Sequence, residues 1–315
     1  MPSNDIRPTK AQRQADARAR AAELRRQQQA AAQRNKFLAI GGAVLAVLVI
    51  VGAVAYVLVQ NRANATASSS VAFGAADADS KSLVSPQLTA VQKPSVADDT
   101  AGIPISADGI GKTAANGTVL QVFFDLQCPY CAQFDKANSA DLDALSKEPG
   151  ITVVYQPLSF LDGSSQGTRY SSRAANALMT VADKDSAHFT AFLTALYADQ
   201  PAENTKGLTD DKIASIATSV GVPQAVVSTF TSTISGSYQL KDANGNTTDH
   251  TGTWRTFAPF IAAATGHAET LPVFANGIGT PTILLDGQQL PSTVNLYTQG
   301  QVKAAVEAAA AAKKG

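Results

Sequence analysis

Val119-Leu120-Gln121-Val122-Phe123-Phe124-Asp125-Leu126-Gln127-Cys128-Pro129-Tyr130-Cys131 is the stretch that decides the fold. Its first six residues are almost wholly apolar, which suits a strand buried on both faces. Pro129 fits the first turn of a helix, where its missing N–H costs nothing. Helical sequence then continues to about Leu145, and Pro149-Gly150 interrupts it. Ile151-Thr152-Val153-Val154-Tyr155 reads as a second strand. Strand, helix and strand in this order form a crossover unit, whose chirality favours parallel pairing.

Cys128 and Cys131 are the only cysteines of the 315-residue chain. On the first turn of a helix, positions i and i+3 lie about 5–6 Å apart, close to the Cα separation that a disulfide needs. The pair can open and close with little backbone movement. A bridge over so short a loop removes little unfolded-chain entropy, so a redox role suits it better than a structural one. Orphan N–H groups and the helix dipole favour negative charge at a helix N-terminus. Cys128 is therefore expected to be the low-pKa attacking thiolate, and Cys131 the buried resolving thiol. A permanent structural disulfide and half of a metal site are the competing readings. The metal reading has only His188, His250 and His267 to draw on, none closely spaced, so no metal and no cofactor is expected. Asp125, three residues before Cys128, is a candidate to pass a proton to Cys131 or to adjust the thiols; a loop or cap carboxylate is its alternative. Tyr130 and Phe134 are candidates for apolar substrate surface, with the core as the alternative for Phe134.

Outward from the box, helices are expected over 171–181, 186–198, 209–220, 223–235 and 254–264, with 242–253 a loop around Asn244-Gly245. Thr209 and Pro223 supply start signals for two of these helices. Trp254 and Phe257 read as core residues of the last rather than as a substrate groove. Pro281-Thr282-Ile283-Leu284-Leu285 reads as a late strand, Asp286-Gly287 as a tight turn and 288–290 as the start of a return strand. A helix is expected over 299–312.

The chain before the box has a different character. Residues 1–36 carry nine basic and three acidic residues, or +6, and no apolar stripe. They read as a solvated, partly helical cytoplasmic tail, or as a basic segment drawn to anionic lipid. Residues 37–59 are uncharged and rich in Val, Ala, Leu and Ile. As a helix that stretch is roughly 34 Å long, enough to cross a bilayer core of about 30 Å. A cleaved signal peptide, with Ala63-Asn64-Ala65 as its site, is the rival reading, although its apolar region is usually shorter. Basic residues crowd the N-terminal flank, so the positive-inside rule places the N-terminus in the cytoplasm and the rest outside. Residues 60–100 read as a flexible linker. The formal net charge of zero thus sums a +6 tail and a −6 remainder of 16 basic and 22 acidic residues. Zero net charge argues against a nucleic-acid binder. Two cysteines exclude a disulfide-rich scaffold and a four-thiolate zinc module.

A second box precedes the late strand: Gly279-Thr280-Pro281-Thr282. Proline at a strand's start leaves the preceding backbone free to face a partner; a cis Thr280–Pro281 bond and an ordinary strand-initiating proline both fit. Together with Cys128-Pro129-Tyr130-Cys131 and the long helical middle, this box resembles the DsbA-like branch of the thioredoxin superfamily over residues 101–315. The resemblance implies an α/β thioredoxin fold with a helical insertion at about 165–268, here preceded by a single N-terminal transmembrane helix. It also implies that Pro281 is a cis-proline facing the cysteines, with Thr280 offering backbone hydrogen bonds to a substrate strand. Pro129 and Tyr130, between the cysteines, depart from the Pro-His of the DsbA type, and Tyr130 lacks that histidine's cationic support for a thiolate.

The expected function is that of a membrane-tethered, extracytoplasmic thiol:disulfide oxidoreductase, with a dithiol oxidase ahead of a reductase or isomerase. Secreted or membrane protein thiols and disulfides are the expected substrates, and a membrane redox partner would reset the pair. A non-catalytic thioredoxin-fold adaptor and a metallochaperone are rivals from other classes.

Overall fold

The structure, a computed structural model, describes residues 82–242 and 244–314. The basic tail, the apolar span 37–59 and the first part of the 60–100 segment lie outside those residues. Among the described residues no helix is long and apolar enough to cross a membrane.

The described chain begins with a short strand, β1 (Ser82–Leu83), and then forms a tight antiparallel hairpin of β2 (Ile103–Ser106) and β3 (Gly109–Ile110). β4 (Thr118–Asp125), α1 (Pro129–Leu145) and β5 (Ile151–Leu158) are the expected crossover unit, and β4 and β5 pair in parallel. Every residue of β5 is buried, Thr152 and Gln156 among them, as befits a largely apolar strand covered on both faces. The insertion follows with α2 (Tyr170–Lys184), α3 (Phe189–Ala198), α4 (Asp210–Ser219) and the single turn α5 (Gln224–Val227). It continues through a long hairpin, β6 (Thr233–Lys241) and β7 (Thr247–Arg255), to α6 (Ala258–Glu269). The chain closes with β8 (Thr282–Leu285), β9 (Gln288–Gln289) and α7 (Gln301–Lys314).

The main sheet has the order β3-β2-β5-β4-β8-β9, with all pairs but β4–β5 antiparallel. On one face, Leu120, Val122 and Phe124 join Cys131, Phe134 and Leu142 of α1 and Val302 and Val306 of α7 in the principal core. On the other, Phe123, Leu158 and Leu284 pack with Ala268 of α6 and Phe274. β4 therefore runs inside the sheet between two cores and delivers Cys128 at its C-terminal end.

Four expectations change. The helix expected over 223–235 is only the turn Gln224–Val227, and most of the 242–253 loop is strand β7. In β6, Ile234, Gly236, Tyr238 and Leu240 alternate with outward Thr, Ser, Gln and Lys. That is period 2, and Asn244-Gly245 lies in its turn, with Gly245 at φ 87°. Trp254 belongs to this hairpin rather than to a helix; like Phe257 it is completely buried, so both are core residues. Lastly, the described part of the supposed linker is docked. β1 pairs with Leu240 and Lys241 of β6, the Ser95 N–H donates to the Asp183 carboxylate at 2.8 Å, and Ala97 is buried. Its apolar residues Leu83, Leu88 and Val91 pack on the domain without any regular spacing, so no periodicity announces them.

Candidate active site

β8 runs antiparallel beside β4, with Thr282 opposite Phe123. Residues just before β8 thus lie beside residues just after β4, and Thr280 meets Cys128 across 152 positions. Cys128 caps α1 in an extended conformation (φ −74°, ψ 116°), and Pro129 opens the helix. The Cys128 N–H donates to the Asp125 carbonyl at 3.1 Å, and its own carbonyl accepts the Cys131 N–H at 3.0 Å. The Cys128 thiol donates to the Thr280 carbonyl at 3.2 Å, and the Thr280–Pro281 bond is cis.

Both cysteines are free thiols and both are buried, Cys128 4% exposed and Cys131 2%. The Cys131 thiol, hydrogen-bonded to the Cys128 sulfur, outweighs the cost of burial. With help from the N–H groups of Cys131 and Tyr130, it brings Cys128 down to about 6. Burial and the neighbouring Cys128 push Cys131 well above the usual thiol range. One sulfur is thus an available nucleophile at neutral pH while the other stays protonated. Exchange through a mixed disulfide needs that division.

Asp125 is fully buried, and burial pushes its carboxyl up to about 7. Three donors oppose the rise: Ser171 Oγ at 2.6 Å, the Gln127 N–H at 2.8 Å and the Leu161 N–H at 3.0 Å. These bonds tie the turn after β4 to α2 and to the 160–165 turn, which makes Asp125 an anchor of the cysteine loop. Because its folded value exceeds its ordinary 3.8, its contribution to stability is complete below about pH 4 and declines as pH rises to about 7.

Tyr130 is 57% exposed and Tyr297, from the segment before α7, is 44% exposed; their ring centroids are 6.3 Å apart. They form an aromatic rim beside Cys128, whose charge also acts on Tyr297. Phe134 is buried in the principal core. The structure therefore brings Cys128, Cys131, Pro129, Tyr130, Thr280, Pro281 and Asp125 to one end of β4. Sequence reading missed Ser171 and Tyr297. Each lies far along the chain from the box, in no motif, and only the fold brings it there.

A mixed sheet with a parallel β4–β5 pair, a C-x-x-C pair at the N-terminus of the crossover helix and a cis-proline facing it define a thioredoxin-type domain. The family model described as thioredoxin matches residues 107–308. The chain belongs to that family. Among solved structures it is similar to the MdbA thiol-disulfide oxidoreductase of Actinomyces oris, at 19% identity and a TM-score of 0.51, covering 71% of this chain and 96% of that one. It also matches BdbD of Bacillus subtilis at 17% identity and a TM-score of 0.48, covering 72% and 99%. Among curated proteins it is 31% identical over 157 residues to the serine/threonine-protein kinase PknE of Mycobacterium tuberculosis. That match takes in 48% of this chain and only 28% of the kinase's length.

Proposed function

We propose that this protein is a thiol:disulfide oxidoreductase that works as a dithiol oxidase on proteins outside the cytoplasmic membrane. The observation that carries the reading is the Cys128 sulfur at the N-terminus of α1, beside Thr280 and drawn toward the thiolate by Cys131, with Cys131 protonated one turn in. In the oxidised protein a substrate thiolate attacks the Cys128 sulfur. The Cys128–Cys131 bond breaks, Cys131 leaves and takes up a proton, and a mixed disulfide forms. The second substrate thiolate attacks its partner sulfur in that mixed disulfide, releasing Cys128 as thiolate. Two electrons and the substrate disulfide balance. A stabilised Cys128 thiolate favours the reduced protein and hence oxidation of the substrate. Asp125, with a value near neutrality, adjusts the pair; the backbone of Thr280 and Pro281 receives the substrate strand; Tyr130 and Pro129 shape the approach. The apolar span 37–59 tethers the domain, the charge asymmetry about it places the domain outside, and a membrane redox partner accepts the two electrons.

Two assays separate the redox directions. The oxidised protein is expected to form disulfides in a reduced, unfolded test protein faster than the reduced protein cleaves those of insulin. Faster insulin reduction, with no net oxidation, would assign it to reductases instead.

A further inference from the structure

The turn that carries Cys128 is fixed from the side of the insertion as well as by Asp125. At the end of α3, Tyr197 Oη donates to the Asp125 carbonyl at 3.3 Å. Three residues on, the half-buried Gln200 donates from one nitrogen, Nε2, to two carbonyls, those of Leu126 and Cys128, each at 2.9 Å. Three of the four carbonyls between 125 and 128 therefore end on the same short stretch of the insertion. The Leu126 and Cys128 carbonyls belong to the peptide planes on either side of Gln127-Cys128, so one donor shared between them fixes where the Cys128 backbone, and with it the sulfur, sits at the start of α1.

We propose that Gln200, seconded by Tyr197, is a positioning residue for Cys128: the insertion holds the catalytic turn by its carbonyls and so keeps the sulfur over the first turn of α1. The proposal rests on Cys128 being the sulfur that exchanges with substrate and extends the machinery beyond the two sequence boxes. It also gives the inserted domain a role in setting reactivity. The titratable groups about Cys128 are Cys131 on α1, Tyr130 beside it, Tyr297 before α7, Tyr197 on α3 and Asp125 at the end of β4. None of them is altered by changing Gln200.

The test is the pH dependence of iodoacetamide alkylation of Cys128 in the reduced, full-length protein, with melting temperature recorded alongside. Gln200→Ala removes two hydrogen bonds and is expected to raise the alkylation pKa by about half a unit to one unit. From a starting value of about 6, the rate at pH 6 then falls about two- to fivefold. Gln200→Glu replaces the donor by a carboxylate, which repels both carbonyls and a thiolate, and is expected to shift the profile further than Ala. Tyr197→Phe removes one hydroxyl and is expected to give a smaller shift of the same sign. If wild type and the two Gln200 variants share one low profile, the positioning role is overturned while the oxidoreductase reading stands. If wild-type Cys128 itself titrates near an ordinary thiol value of about 8.5, both are overturned.

Discussion

Changing Cys128 to Ser is expected to lower thiol:disulfide exchange to the uncatalysed background, a loss of at least about 10⁴-fold, as when an enzyme loses its nucleophile. The serine hydroxyl keeps nearly the size of the thiol and still reaches the Thr280 carbonyl, so folding is expected to survive. What disappears is the sulfur that ionises at neutral pH and that alone can form the mixed disulfide. Cys131→Ser acts differently. Cys128 remains a nucleophile and attacks substrate disulfides, but no second thiol one turn away resolves the product. A covalent complex with substrate is expected to accumulate, visible by non-reducing electrophoresis and lost on adding a reductant. The two variants thus separate attack from resolution. Full activity in Cys128→Ser would remove the basis of the proposed mechanism.

The second large effect is on stability. Asp210, at the start of α4, pairs with Arg173 of α2 at 2.9 Å and with Arg255 at the end of β7 at 2.7 Å. Both arginine side chains are at least nine-tenths buried. Arg173 also donates to the Leu208 carbonyl and Arg255 to that of Phe230. One carboxylate therefore joins two helices to the hairpin. Removing one partner of a buried ion pair leaves uncompensated charge and typically costs about 3–5 kcal/mol. Asp210 is itself 31% exposed, and the arginines keep their carbonyl partners, so Asp210→Ala is expected to cost less, about 2–3 kcal/mol. For a domain of this size that lowers the melting temperature by roughly 5–10 °C. Burial works against ionisation here, but Arg173 and Arg255 outweigh it and hold the carboxyl below its ordinary value. Its stabilisation is thus present above about pH 4 and is lost as pH falls through the lowered value. The deficit of Asp210→Ala, measured by denaturant unfolding, is expected to shrink toward zero in strong acid.

How much was legible beforehand follows from how each element is encoded. β4, α1 and β5 were readable because an apolar run, a first-turn proline and Pro149-Gly150 are local signals, and α1 spans Pro129–Leu145 as expected. The meeting of Gly279-Thr280-Pro281-Thr282 with the cysteines could be named only through resemblance, since nothing local says that β8 lies against β4. The hairpin β6–β7 was missed because many of its outward positions are small, polar Thr and Ser, and its inward ones include Gly236 and His250, which dilute the apolar alternation. Asn244-Gly245 was the available clue. Gln200 and Ser171 carried no signal at all. A glutamine after a helix acquires meaning only when folding sets it against the Leu126 and Cys128 carbonyls.

The oxidase reading is most directly tested by the reduction potential of the Cys128–Cys131 pair, measured by equilibration with glutathione buffers. The value of about 6 for Cys128 lies between about 7 for thioredoxin and about 3.5 for DsbA, whose potentials are about −270 and −120 mV. Greater stabilisation of the thiolate stabilises the reduced form, so a potential of about −230 mV or higher is expected, clearly more oxidising than thioredoxin. A potential at or below about −270 mV would contradict the oxidase assignment and make the protein a reductant.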